Sequence, residues 1–160
     1  MTEQPVMTMP PPVVTAPVPK TGPAYAKSPK GLPPAVWGVG RRKTAVARVR
    51  VRPGAGVFLV NDREVDVFFC NEKDRHAVRT PLRVTETSKT VDVFVNVNGG
   101  GISGQAGAVV LGLARALMDV NPTHEPKLRE YNLLTRDARE VERKKYGRSG
   151  ARRRFQFSNR

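Results

Sequence analysis

Ten of the chain's 14 prolines fall before Val36: Pro5, Pro10, Pro11, Pro12, Pro17, Pro19, Pro23, Pro29, Pro33 and Pro34. Each fixes φ and removes a backbone donor, so neither a helix nor a sheet ladder can propagate through them. Residues 1–36 are therefore expected to form a disordered extension, or alternatively a proline-motif ligand for some partner. A mitochondrial presequence does not fit, because this stretch has no Arg and too many prolines for an amphipathic helix. What can fold is the middle of the chain, residues 37–142. That length supports one modest core and is too short for two domains of ordinary size.

The charge is as uneven as the proline. The chain carries 28 Lys plus Arg against 14 Asp plus Glu, a formal net charge of +14. Residues 1–36 hold three Lys and one Glu, residues 37–142 hold 17 basic and 13 acidic residues, and residues 143–160 hold eight basic residues and no acid. Most of the excess thus sits in a tail too polar to form a core. A run of charge is usually a solvated face, but eight cations without an acid repel one another unless a polyanion lies nearby. Nucleic acid is the expected partner. Cys70 stands alone, with His76 and His124 the only histidines, so the sequence offers neither an intramolecular disulfide nor a zinc-ligand set, and no metal or cofactor is expected. No stretch approaches the roughly 18 to 20 apolar residues of a membrane span, and no secretory core opens the chain. A soluble protein of the cell interior is expected.

From Trp37 the pattern becomes periodic. Ala45, Ala47, Val49 and Val51 fall on one side of a predicted strand, and Arg42, Thr44, Val46, Arg48, Arg50 and Arg52 on the other. Such alternation means a half-buried strand with a cationic outer face. Pro53, Gly54 and Gly56 end it; Val57 to Val60 predict a second strand, with Asn61-Asp62 as a hairpin turn. Val65 to Thr80 reads as short helices, and Leu82–Glu86 with Thr90–Asn98 as a further strand pair in which Val91, Val93, Val95 and Val97 share a face. Ile102, Ala106, Val109, Val110, Leu113, Leu117 and Val120 recur at three and four, which predicts a helix from near Ser103 to just before Asn121-Pro122. Gly104, Ala108 and Gly112 line another stripe of it, where a sheet or an RNA can approach closely. A further helix is predicted over Lys127–Leu134.

Gly99, Gly101 and Gly104 fit G-x-G-x-x-G between a strand and a helix. A dinucleotide site would also need an acidic residue ending the next parallel strand about 20 residues on. Asp119 lies inside the helix instead, and Asn121-Pro122 followed by another helix replaces that strand. A P-loop fails because Gln105, not Lys, follows Gly104. Two readings remain: the glycines permit positive φ in a tight strand-to-helix turn, and exposed N–H groups at a helix N-terminus can receive an RNA phosphate. No nucleophile motif joins the Ser, His and Asp residues, so no enzyme is expected.

The last 18 residues, from Arg143 to Arg160, hold no core-forming pattern; fully extended they would reach on the order of 60 Å. Their cations can neutralise phosphates, while Tyr146, Phe155 and Phe157 can stack on bases or pack on protein. Three stretches together resemble a known family: Gly40-Arg41-Arg42-Lys43-Thr44-Ala45-Val46-Ala47-Arg48-Val49; Asn98 to Gly107 continuing through Leu111 to Leu117; and Gly150-Ala151-Arg152-Arg153-Arg154 followed by Gln156-Phe157-Ser158. They look like the ninth protein of the small ribosomal subunit in its bacterial form, from about Trp37 to Arg160.

The resemblance implies one small α/β domain with a mixed sheet packed by helices, of the type shared with the second domain of ribosomal protein five, plus extended tails. It implies a cytoplasmic, non-catalytic constituent of the ribosome seated on small-subunit ribosomal RNA in the head, beside neighbouring head proteins. Its tail would reach the peptidyl-site transfer RNA. On this mapping Arg41, Arg42, Lys43, Arg48, Arg50, Arg52, Gly99, Gly100, Gly101, Gln105, Arg143, Lys144, Lys145 and Arg148 are expected to contact ribosomal RNA. Arg152, Arg153, Arg154, Ser158, Asn159 and Arg160 are expected to contact transfer RNA. A strand over Arg139–Lys145 is implied as well. Asn159 stands where the family usually has Lys, and Phe155 where it often has Pro. The rival reading is a free-standing RNA-binding module with no fixed ribosomal seat.

Overall fold

The computed structural model describes residues 35–158. Most of the proline-rich extension, along with Asn159 and Arg160, lies outside them. A five-stranded mixed sheet in the order β1-β2-β5-β3-β4 forms the frame. Its strands are β1 (Val36–Arg42), β2 (Ala45–Pro53), β3 (Phe58–Val60), β4 (Arg63–Glu64) and β5 (Val91–Asn98). All neighbours pair antiparallel except β3 and β5, which run parallel because α1 (Val65–Phe68) and α2 (Glu72–Val84) intervene as a crossover. The α/β architecture and the alternation in β2 are as the sequence leads one to expect. Ala45, Ala47, Val49 and Val51 are all buried, as are Val91, Val93, Val95 and Val97 of β5.

One expected strand is two. Arg42 and Thr44 do not continue the outer face of β2; the chain turns at Lys43-Thr44 and pairs β1 back on β2, Arg42 facing Ala45. Lys43 takes a left-handed φ of 51° there. No Gly or Asn marks the turn, so local turn chemistry gives no sign of it. Asn61 and Asp62, by contrast, both have positive φ and close the β3–β4 hairpin as their types suggest.

Leu82–Glu86 is not a strand. Val78, Pro81 and Leu82 are buried on one face of α2, which runs on to Val84. Pro81 lies inside the helix, where it has no N–H to give to the carbonyl of Ala77; its ring is buried, and Thr85 Oγ1 donates to its carbonyl at 2.9 Å. The last predicted helix is also shorter and earlier: a 3-10 turn at Pro122–His124 leads into α4 (Glu125–Glu130). Asn132 ends it at φ 54°, with Leu133 N–H donating to Leu128 O and Asn132 N–H to Arg129 O. That double bond pattern is a Schellman stop, with Asn doing the work usually given to Gly.

The long helix α3 (Ile102–Val120) fits its predicted span, though Ile102 and Val120 at its ends are exposed. Its small-residue stripe meets the sheet. A Cβ on Gly40 would lie 1.9 Å from Ala108 O and 2.4 Å from Gly112 N, and one on Gly38 would lie 2.1 Å from Gly112 O. Two glycines of β1 thus face Ala108, Gly112 and Ala116 of α3, and backbone packs on backbone. Beneath them Val49, Val109, Leu113 and Leu117 are fully buried.

Asp92 shows how the one buried acid of the sheet is satisfied. Its Oδ1 accepts from the N–H groups of Ala55, Gly56 and Val57 at 2.9, 3.1 and 3.0 Å, and Oδ2 accepts from Arg52. Burial opposes ionisation, but those three N–H bonds and the Arg52 charge outweigh it and hold the carboxyl below its ordinary range. Its stabilisation is thus fully present above the unfolded carboxylate range and is lost as pH falls below it through the depressed native value. Replacing Asp92 with Ala, which strands three donors, is expected to cost about 2 kcal/mol or more at neutral pH. Asp92→Asn keeps an acceptor and loses less. Urea titrations should show both deficits shrinking as pH falls below the unfolded carboxylate range toward the depressed native value.

Candidate nucleic-acid interface

The face of the sheet turned away from α3 carries the cations. Cross-strand register sets its rows: Trp37 of β1, Arg50 of β2 and Phe94 of β5; then Val39, Arg48 and Asn96; then Arg41, Val46 and Asn98. Trp37, Arg48, Asn96 and Asn98 are exposed. The Arg50 guanidinium lies 5.3 Å from the Trp37 ring and 5.9 Å from that of Phe94, and Arg52 lies 4.5 Å from Phe94. These separations are within cation–π range. A depression of about 310 Å³, lined by Thr44, Val46, Arg48, Asn96, Asn98 and Gly99, continues the face toward the glycine turn.

That turn sits at the same end of the sheet as the β1–β2 hairpin. Gly99 and Gly100 both have positive φ, and a side chain on Gly99 would strike Thr44 O at 2.7 Å. Gly101 caps α3 without a side-chain bond, and Gln105 Nε2 donates to Gly99 O at 3.1 Å. Gly99, Gly100, Gly101, Arg41 and Lys43 are exposed together there. The basic hairpin and the N–H groups at the start of a long helix form one electropositive end.

Arg42 is occupied differently from its neighbours. Its stem lies on Gly107, Nη1 donates to Ser103 O at 3.4 Å, and Nη2 pairs with Asp137 at 3.2 Å. Asp137 also accepts from Arg139, whose side chain and N–H, aided by Arg42, depress its carboxyl far below the ordinary range. This bridge moors the start of the C-terminal segment to the hairpin. Past Asp137 the described residues hold no helix or strand, so the strand implied over Arg139–Lys145 is absent. The segment carries little to bury as a strand: Val141 is 92% exposed, and Arg139 and Glu140 are engaged in side-chain pairs with Asp137 and Arg136.

The tail is not fully extended. Gly147 turns at φ 62°, Ser149 N–H donates to Arg153 O at 3.0 Å, and Arg152 pairs with Glu142, lowering that carboxyl. Arg143, Lys144, Lys145, Arg153, Arg154 and Ser158 are exposed, as are Tyr146, Phe155 and Phe157. Arg148 donates to Arg152 O.

The profile of the family described as ribosomal protein S9/S16 matches residues 40–160 of this chain. The chain belongs to that family. The small ribosomal subunit protein uS9 of Anaeromyxobacter sp. (strain K) is 53% identical over 122 residues, covering 76% of this chain and 94% of that protein. The uS9 of Gemmatimonas aurantiaca is 54% identical over 125 residues, 78% of this chain and 97% of its own length. A member of this family is a structural ribosomal protein of the small subunit and not an enzyme. Accordingly, the G-x-G-x-x-G match is a turn that lets β5 pass into α3.

Sequence reasoning passed over Trp37, Phe94, Asn96 and Asn98. The strand periodicity that singled out Arg48, Arg50 and Arg52 would also have found Asn96 and Asn98 opposite Val95 and Val97. Trp37 needed the hidden hairpin: only once β1 folds back does it stand beside Arg50.

Proposed function

We propose that residues 37–142 form a domain that binds small-subunit ribosomal RNA in the head of the particle, and that residues 143–160 are a tail reaching peptidyl-site transfer RNA. Residues 1–36 would then be an appendage to this machinery. The observation that carries the reading is the segregation of charge. Arg41, Lys43, Arg48, Arg50 and Arg52 gather on one face and one end, beside the glycine turn Gly99–Gly101, while the tail presents Arg143, Lys144, Lys145, Arg153 and Arg154 to solvent. Arg42 serves this surface by anchoring the tail through Asp137, and Gln105 by bracing Gly99.

Phosphate contacts suit both targets. In ribosomal RNA they fix position, and in transfer RNA they accept every sequence alike. The neighbours of the chain in the head would be other small-subunit proteins. Lysate from cells expressing a tagged copy, sedimented through a gradient at high salt, tests the seat. The chain should remain in the small-subunit fraction. Its release to the top of the gradient, with free RNA binding retained, would favour a free-standing RNA-binding module.

A further inference from the structure

We propose that Asp137 is the positioning residue of the C-terminal tail: by clasping Arg42 to Arg139 it fixes where the tail leaves the domain and so aims the cations beyond it; this deepens the tail reading above and rests on it. From Arg136 onward the chain holds three acids, Asp137, Glu140 and Glu142. Glu140 pairs with Arg136 and Glu142 with Arg152, both within the C-terminal segment. Among the described residues, Asp137 alone of the three pairs with the domain, through Arg42 at the end of β1.

An exposed ion pair by itself contributes little, but this one stands on a fixed support. The Arg42 stem lies so close to α3 that a Cβ on Gly107 would fall 2.3 Å from its Cδ, and its Nη1 donates to Ser103 O at 3.4 Å. Ser103 Oγ in turn donates at 3.0 Å to Asp74, a buried acid of α2. The guanidinium is therefore held whether or not the tail is docked, and the loss of side-chain freedom that weakens most surface pairs is small. On the tail side, Asp137 Oδ1 accepts from the N–H and the Nε of Arg139 at 3.1 and 3.0 Å. Its Oδ2 accepts from Arg139 Nη2 at 2.9 Å and from Arg42 Nη2 at 3.2 Å. The bond to the N–H two residues on is an Asx turn, which bends the chain locally; the bond to Arg42 fixes that bend on the domain. Without it the chain is free back to Leu134, which packs against the core.

Charge and geometry make opposite demands on this residue. Removing an acid from a chain of net charge +14 strengthens its attraction to a polyanion, so a purely electrostatic Asp137 would weaken RNA binding and its loss would tighten it. A positioning residue does the reverse. A loosened root spreads the tail's cations over a larger volume and lowers their effective concentration at the phosphates.

In filter binding of transfer RNA to small subunits reconstituted with the full chain, Asp137→Ala is expected to bind about two- to fivefold more weakly. Its salt slope should match the parent's, because no cation is lost. Glu140→Gln removes the same charge but leaves the clasp, and should bind at least as tightly as the parent. Gly107→Ala changes no charge, suits a helix and displaces the Arg42 stem, so it should weaken binding as Asp137→Ala does. The root itself is read in the free chain. Time-resolved energy transfer from Trp37, the one Trp, to an acceptor on Val141→Cys in a Cys70→Ser background should give a narrow distance distribution. Asp137→Ala and Gly107→Ala should broaden it, and Glu140→Gln should not. Tighter binding by Asp137→Ala, or a distribution as narrow as the parent's, overturns the proposal. So does a broadened distribution with unchanged transfer RNA affinity, where deletion of Arg152–Arg160 still lowers that affinity. If neither the deletion nor Asp137→Ala alters affinity, the tail reading falls as well.

Discussion

Gly40→Ala is expected to abolish folding of the domain, although it adds one methyl group. The new Cβ would sit 1.9 Å from Ala108 O and 2.4 Å from Gly112 N, both main-chain atoms in the middle of α3. Neither can swing aside as a side chain can. Relief requires β1 to lift from the helix or α3 to slide along the sheet, which would disturb the packing of Val49, Val109 and Leu113 beneath. Overpacking commonly costs about 1–3 kcal/mol when side chains can adjust, and more when backbone must move. Against a total of about 5–15 kcal/mol for a domain, such a loss is decisive. Gly101→Ser is the matched control: nothing lies within 4 Å of its added Cβ, its φ of −95° is ordinary, and Ser is a favoured helix N-cap. Far-ultraviolet circular dichroism and a urea titration should show Gly101→Ser at or above the stability of the parent chain, and Gly40→Ala without a cooperative transition. A Gly40→Ala protein within about 1 kcal/mol of the parent would mean that the β1–α3 approach is looser than described.

That contact also marks where the sequence stops being legible. The burial pattern of β2 and β5 could be read residue by residue, because alternate Val and Ala have only one reason to alternate in a strand flanked by Arg. The span of α3 was equally open to reading. The turn at Lys43-Thr44 was not, since the pairing of β1 with β2 and the packing of Gly38 and Gly40 on α3 force it despite unhelpful local residues. The same holds at Leu82–Val84, where β-prone residues continue a helix because Val78, Pro81 and Leu82 share its buried face. At the interface, charge could be counted but not allotted. Arg42 and Arg48 are alike in sequence, yet one guanidinium is committed to Ser103 and Asp137 while the other is exposed on the sheet face turned away from α3.

Deleting Arg152–Arg160 should leave the domain folded and weaken transfer RNA binding at the peptidyl site in a salt-dependent way. Among the described residues the deleted segment is tied to the rest of the chain by the exposed Arg152–Glu142 pair and by bonds from Arg148 and Ser149 to its carbonyls, all outside the core. Four cations are lost: Arg152, Arg153, Arg154 and Arg160. Each phosphate contact contributes about 0.7 to 0.9 to the slope of log affinity against log salt, so the slope should fall by about 3. The deficit is then greatest in dilute salt and narrows by about fiftyfold between roughly 50 and 200 mM, as screening removes what the tail supplied. Filter binding of several transfer RNAs to small subunits reconstituted with each form measures both quantities. A triple substitution of Arg152, Arg153 and Arg154 to Lys separates charge from geometry. If the tail works as a sequence-independent electrostatic grip, the lysine form keeps the parent slope and nearly all of its affinity, for every transfer RNA alike. A lysine form as weak as the deletion would show that planar guanidinium contacts, bidentate or stacked, carry the binding. Identical affinity and slope in the parent and the deletion would remove transfer RNA from the tail's function altogether.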